Sequence, residues 1–189
     1  MAFATQYSVY CASFPRCLAA VAANVPDDAT RSPLIENLWE EHGEGEISRS
    51  HRALYERFAT ALDIPGQEKR ENQALPTTRQ YVDELFDLCH SEHFLIGLGA
   101  LGPGTELFTS QEYESLFAGL IRYDFLSEYD LEFFKAHIGL DDTHYAEMLE
   151  AILPWAEDVA HQERIRHGAE RAVRMEAEFW DGLEQHIYS

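Results

Sequence analysis

Residues 113–121 read Tyr-Glu-Ser-Leu-Phe-Ala-Gly-Leu-Ile, with the apolar members Tyr113, Leu116, Phe117, Leu120 and Ile121 at offsets 0, 3, 4, 7 and 8. That spacing lays one apolar stripe along a helix and leaves the opposite side polar. The same period recurs in Val82, Leu85, Phe86 and Cys89, in Leu54, Phe58 and Leu62, and in Ala172, Met175, Phe179 and Leu183. No strand-like alternation of useful length competes with it. Pro26-Asp27-Asp28, Gly43-Glu44-Gly45, Ile64-Pro65-Gly66, Gly102-Pro103-Gly104 and Pro154 punctuate the chain into roughly seven helices, the first expected over 7–24. The expected fold is all-α, one helical domain over residues 1–189. The polar stretch 66–78, which contains Pro76, reads as a mobile loop too short to link domains.

The chain's 189 residues carry 14 Lys+Arg against 34 Asp+Glu, a formal charge of −20. A hydrophobic fraction of 46% supports one sizeable core and excludes wholesale disorder, so the acid lies on the surface. Such a surface repels phosphate backbones and anionic headgroups, which argues against nucleic-acid and membrane-surface partners. No apolar run approaches the ~20 residues of a membrane span. The first residues show no cationic leader with an apolar core, and Cys11, Cys17 and Cys89 are odd in number without a Cys-x-x-Cys. Both features fit a cytoplasmic chain whose thiols are reduced, small core residues.

Gly97-Leu-Gly99-Ala-Leu-Gly102 matches the dinucleotide fingerprint letter for letter, but a helical stretch precedes it and no βαβ unit surrounds it. Close helix packing through small residues is the better reading. The informative stretch is 133–144, Phe-Phe-Lys-Ala-His-Ile-Gly-Leu-Asp-Asp-Thr-His. Within one continuous helix, His137, Asp141 and His144 at i, i+4 and i+7 would share a face with Phe133 and Met148 and point inward. Two imidazoles and a carboxylate facing a core are costly unless a metal bonds them. The competing reading ends the helix near Gly139, makes Asp141 an N-cap and leaves the histidines merely hydrogen-bonded.

Glu41 continues the apolar stripe Leu34-Leu38, while Glu36 and Glu40 should point elsewhere. His51 opens the next helix one turn ahead of Leu54 and Phe58. Glu106 follows the Gly-Pro-Gly break after the apolar run 94–101. Each of these carboxylates alone also reads as a solvated helix end. Together, carboxylates and imidazoles suit iron or manganese better than structural zinc.

In that order, Glu41-x9-His51, Glu106 and His137-x3-Asp141-x2-His144, the sequence resembles the haem-oxygenase-like diiron oxidases and oxygenases. The phrases Asn37-Leu-Trp-Glu-Glu41-His-Gly and Gly99-Ala-Leu-Gly-Pro-Gly-Thr-Glu106 are similar to that family's wording around its ligands. The resemblance implies a haem-oxygenase-like bundle of about seven helices in which Glu41, His51, Glu106, His137, Asp141 and His144 hold two iron ions, with manganese as the substitute. The family usually carries a further N-terminal helix ahead of 7–24. Its absence implies a trimmed bundle, or a homodimer in which a second copy covers the exposed face.

The implied activity is O2-dependent oxidation of a small organic substrate such as an amino acid, an amine or a fatty-acid-like molecule, by desaturation, C–C cleavage or N-oxygenation. The irons cycle between Fe(II) and Fe(III), with an external electron donor as a further partner. Phe94, Phe133, Trp39 and Tyr145 would form the apolar shell that excludes water, and Arg52 or Arg122 would meet a substrate carboxylate. A cofactor-independent relative of the thiaminase or quinone-biosynthesis kind is the alternative on the same fold, marked by a missing ligand. A non-enzymatic metal- or ligand-binding protein is a third. His42, His90, His93, His161, His167 and His186 read as ordinary surface or partly exposed residues.

Overall fold

The computed structural model describes residues 1–90, 93–138 and 140–189, and the side chains of all of these except 140–142. Among the described residues the chain forms α1 (Ala2–Asn24), α2 (Asp28–Glu41), α3 (His51–Ala61), α4 (Gln67–Asn72) and α5 (Pro76–His90). α6 (Phe94–Leu101), α7 (Leu107–Leu120), α8 (Glu132–His137), α9 (Leu140–Ile152) and α10 (Val159–Tyr188) follow. No strand occurs among them, and no helix is long and apolar enough to cross a membrane. The all-α bundle is as expected, with α1 starting earlier than its apolar spacing indicates.

The caps explain where the helices begin. Asp27 accepts a hydrogen bond from the Thr30 amide at 2.9 Å, Ser50 Oγ from the Ala53 amide at 3.2 Å, and Asp158 from the Ala160 amide at 2.7 Å. Each satisfies an amide that lacks an intrahelical partner, worth about 1 kcal/mol. Leu18, Leu34, Phe58, Leu85, Leu98, Phe134 and Phe179 are sealed in the core, each contributing about 1.5–3 kcal/mol by leaving water.

The glycines of the false dinucleotide motif serve packing. A Cβ on Gly99 would lie 2.1 Å from the Ile165 carbonyl oxygen, and one on Gly168 would lie 2.0 Å from that of Ile96. The backbones of α6 and α10 therefore touch directly, as the small residues indicate.

Two expectations require correction. The stretch 66–78 is not a free loop: it contains α4, anchored by Arg70, which is 1% exposed. Its guanidinium donates to Ser8 Oγ at 3.0 Å, the Pro65 carbonyl at 2.8 Å and Gln67 at 2.8 Å, and it pairs with Glu56. Polar composition concealed an anchor because a fully partnered arginine can be buried. Second, His137 and His144 do not share one helix. α8 ends at His137, Ile138 is extended at φ −67° and ψ 111°, and α9 begins at Leu140.

Candidate metal centre

Glu41 and His51 reach one another through the turn that joins α2 to α3. Gly43 has φ +72°, and a Cβ there would lie 2.4 Å from the Glu46 carbonyl oxygen and 2.6 Å from the Ser50 nitrogen. Only glycine permits so tight a reversal. Ser50 then caps α3 and sets His51 in its first position, where Nδ1 lies 2.9 Å from Glu41 Oε1. Both side chains are buried.

Glu106 arrives differently. Gly102–Glu106 is a π-helical turn through which the α6 helix continues into α7, so the expected break is a widened turn in an unbroken helical path. Thr105 Oγ1 donates to the Ala100 carbonyl at 2.9 Å and Thr109 Oγ1 to the Thr105 carbonyl at 2.8 Å, satisfying acceptors of this altered turn. Such turns re-aim the residues after them and concentrate at functional sites. Glu106 is 3% exposed.

These groups converge on one cavity lined by Glu41, His51, Glu106, His137 and His144, closed by aromatic side chains including Tyr113 and Phe133. Ligand atoms of Glu41, His51 and His137 lie within 4.8 Å of one another. The cavity volume, about 20 Å³, suits an ion or a water. Five of the six residues expected as ligands thus line one space, while the Asp141 side chain lies outside the described residues.

The protonation pattern suits a cation. His137 Nδ1 sits 2.6 Å from the Phe133 carbonyl, which can only accept, so the ring carries its proton there and its Nε2 lone pair is unprotonated. Burial foremost, then the neighbouring His51, pushes its pKa down to about 3. Burial opposes the charge of Glu41, but His51 beside it, joined by His137 and His144, holds the carboxyl below its usual range. An ionised carboxylate beside a neutral imidazole is the donor chemistry of an intermediate divalent ion such as iron. Among the described residues lining the cavity none is lysine or arginine.

The surroundings hold several corrections. Trp39 is 55% exposed and lies over Gly45, and Phe94 packs against Trp155 with ring centroids 4.8 Å apart. Neither they nor Tyr145 line the cavity, whereas Phe133 does, with Tyr10, Cys11, Phe14, Thr109 and Tyr113. Thr109 and Tyr113 follow Glu106 at i+3 and i+7, a helical spacing visible in the sequence. Cys17 and Cys89 are buried free thiols, but Cys11 stands at the site, its thiol pushed up by burial and by Glu41. Arg52 and Arg122 are exposed and away from it. Glu40 does not point elsewhere, because its Oε2 lies 2.6 Å from His144 Nε2. His42 and His90 are exposed, and His93 caps the Leu95 amide at 3.3 Å.

A solved structure shares this architecture, and curated proteins resemble the sequence. The crystal structure of a TenA homolog from Pseudomonas syringae pv. tomato superposes with a TM-score of 0.81 at 15% identity, covering 97% of this chain and 78% of that one. That likeness concerns the fold. A 4-aminobenzoate synthase of Nitrosomonas europaea is 29% identical over 197 residues, covering 97% of this chain and 77% of its own length. One from Chlamydia pneumoniae is 26% identical over 151 residues, covering 80% of this chain and 66% of its own length. A family profile described as iron-containing redox enzyme matches residues 1–177, and a match of that extent means that the chain belongs to this family.

Proposed function

We propose that the chain is a non-haem diiron enzyme that uses O2 to oxidise a small organic substrate, with Glu41, His51, Glu106, His137, Asp141 and His144 as ligands of two irons. One observation carries this reading: five buried ionisable side chains from separate helical segments meet at an ion-sized cavity. Asp141 joins them on the resemblance and on its place three residues ahead of His144 in α9. Two ferrous ions there would supply electrons for O2 reduction.

The chain's own residues prepare the site. His51 Nδ1 and Glu41 Oε1 face one another at 2.9 Å, so a cation that took both atoms would displace any proton they share. Tyr113 and Phe133 pack against His137 and exclude water from the inner space. The inner cavity is too small for an organic molecule. His51 also lines a neighbouring groove of about 250 Å³ whose walls include Glu44, Arg49 and Glu132, which would give a substrate a way to the site. Formation of 4-aminobenzoate, after which the two relatives are named, is the first reaction to assay.

The test is anaerobic Fe(II) titration with metal counting, followed by O2 uptake. Two irons per chain and stoichiometric O2 consumption are expected, whereas a chain that binds no iron would sink the proposal.

A further inference from the structure

The start of α2, the end of α9 and the turn after it enclose a groove of about 550 Å³, walled by Asp27, Thr30, Pro33, Glu150, Pro154 and Trp155. Among the described residues it shares none with the metal cavity or with the groove beside His51. Its size is that of a small organic molecule. One wall is a fixed aromatic plane. Trp155 Nε1 donates to Thr30 Oγ1 at 3.1 Å, the Phe94 ring meets the indole in a T-shaped contact with centroids 4.8 Å apart, and the His161 ring flanks it at 5.7 Å. An indole tied at its single donor and wedged between two rings is already in place when a ligand arrives.

The remaining polar groups of the groove are acids. Asp27 caps α2 through Oδ1, while its Oδ2 is sealed from solvent with no hydrogen-bond partner. The Thr30 amide, foremost, holds the Asp27 carboxyl below its usual range, so it is ionised at neutral pH. Arg31 acts in the same direction, but its guanidinium is committed to the Ala22 and Val25 carbonyls and to Asp28, and it does not line the groove. Glu150 brings a second carboxylate from α9. Further along the same seam the Glu147 carboxyl is pushed up by its burial and then by neighbouring carboxylates, Glu36 foremost. Negative charge therefore accumulates here, and among the described residues lining the groove none is lysine or arginine.

We propose that this groove is a second ligand site, independent of the metal centre, that takes a small organic ammonium with an apolar body. The cation lies against the Trp155 ring in the field of Asp27 and Glu150, and the apolar body rests on Pro33, Ala151 and Pro154. A cation over an indole is drawn by the ring quadrupole, most strongly where water is partly excluded. Asp27 Oδ2, an ionised oxygen without a donor, gains most from a positive neighbour. An anion of the same shape is repelled by both carboxylates, and a neutral analogue gains neither attraction.

The full chain is titrated calorimetrically with 2-phenylethylamine, and with 2-phenylethanol and 3-phenylpropionate as neutral and anionic counterparts. Saturable binding of one amine per chain, roughly tenfold tighter than the alcohol, is expected, with no binding of the acid. Asp27→Asn keeps the cap, because asparagine caps as well as aspartate, and removes the charge. Glu150→Gln removes the other. Each should weaken the amine by roughly two- to fivefold and leave the alcohol unchanged. Trp155→Leu should weaken the amine by roughly 2- to 30-fold. Thermal denaturation accompanies every variant, and if Trp155→Leu does not fold, the double variant Asp27→Asn/Glu150→Gln decides alone. Asp83→Asn, on α5 and outside the groove, should change nothing. Four results would each overturn the proposal: no saturable amine binding, equal affinity for amine and alcohol, an amine affinity untouched in the double variant, or an equal loss in Asp83→Asn, the mark of diffuse attraction to an acidic surface.

Discussion

The Tyr113 ring stacks on the His137 imidazole with centroids 4.3 Å apart and planes inclined by 29°. Tyr113 is 3% exposed, sits two turns after Glu106, and so ties α7 to the end of α8 at the cavity. Tyr113→Ala should cost about 3–5 kcal/mol and leave His137 without its support, lowering iron occupancy as well. Tyr113→Phe keeps the ring and should cost no more than about 1.5 kcal/mol. Urea denaturation paired with metal counting checks both.

The metal-free chain should lose stability as pH falls from neutrality. The unfolded chain protonates His137 near pH 6.5, but the folded chain, with the pKa pushed down to about 3, does so only near that value. Between those limits the unfolded state binds more protons, so stability rises with pH and is lost on acidification. The urea midpoint should drop from pH 7 to pH 5, and His137→Gln should flatten the drop. Equal slopes in the two proteins would remove His137 from the account.

Helix contact through glycine predicts sharp position dependence. Gly99→Ala and Gly168→Ala force α6 and α10 apart, because the new methyl meets backbone carbonyl, and should reach or exceed the upper end of about 1–3 kcal/mol. Gly119→Ala, exposed near the end of α7 with nothing within 4 Å of its Cβ, should stabilise by up to about 1 kcal/mol. Calorimetric unfolding of the three variants separates them.

Arg70→Ala removes the cation that joins α4 to α1 and α3 and leaves Glu56 unpaired. Glu56 is 38% exposed, so the loss should be roughly 2–3 kcal/mol, short of the cost for a wholly buried pair. Proteolysis should then cut first within 66–78. An uncut segment would show that α4 stands without its anchor.

Asp141→Asn should lower iron content, while Asp142→Asn should retain it and cost at most ~1 kcal/mol, as a negative charge lost from the first turn of α9. In a single helix, both could be judged by their angle from His137. With the chain extended at Ile138 the comparison rests on α9, where Asp141 is three residues from His144 and Asp142 only two. Equal iron loss in the two variants would refute the assignment.

Helical class and most of the candidate ligands were legible because both depend on local period. Apolar residues three and four apart define a face, and Glu41 and His51 betrayed themselves as ionisable residues on such faces. The caps Asp27 and Ser50 follow from the same local chemistry. Distance between helices has no such signature. That Glu40 meets His144, 104 positions away, that Arg70 is sealed, and that Tyr113 supports His137 follow from how helices pack.

The amino-acid order alone therefore determined an all-helical chain with a likeness of ligand spacing to iron enzymes, since 3.6-residue periodicity and donor type are properties of short segments. Tertiary structure decided that five of those donors share one buried space, that the helix carrying His137 stops before the one carrying His144 begins, and that His137 Nδ1 faces a carbonyl while His144 Nε2 faces a carboxylate. Those facts depend on which carbonyl or carboxylate packing brings to each ring, and hydrogen bonds between distant segments have no period to read.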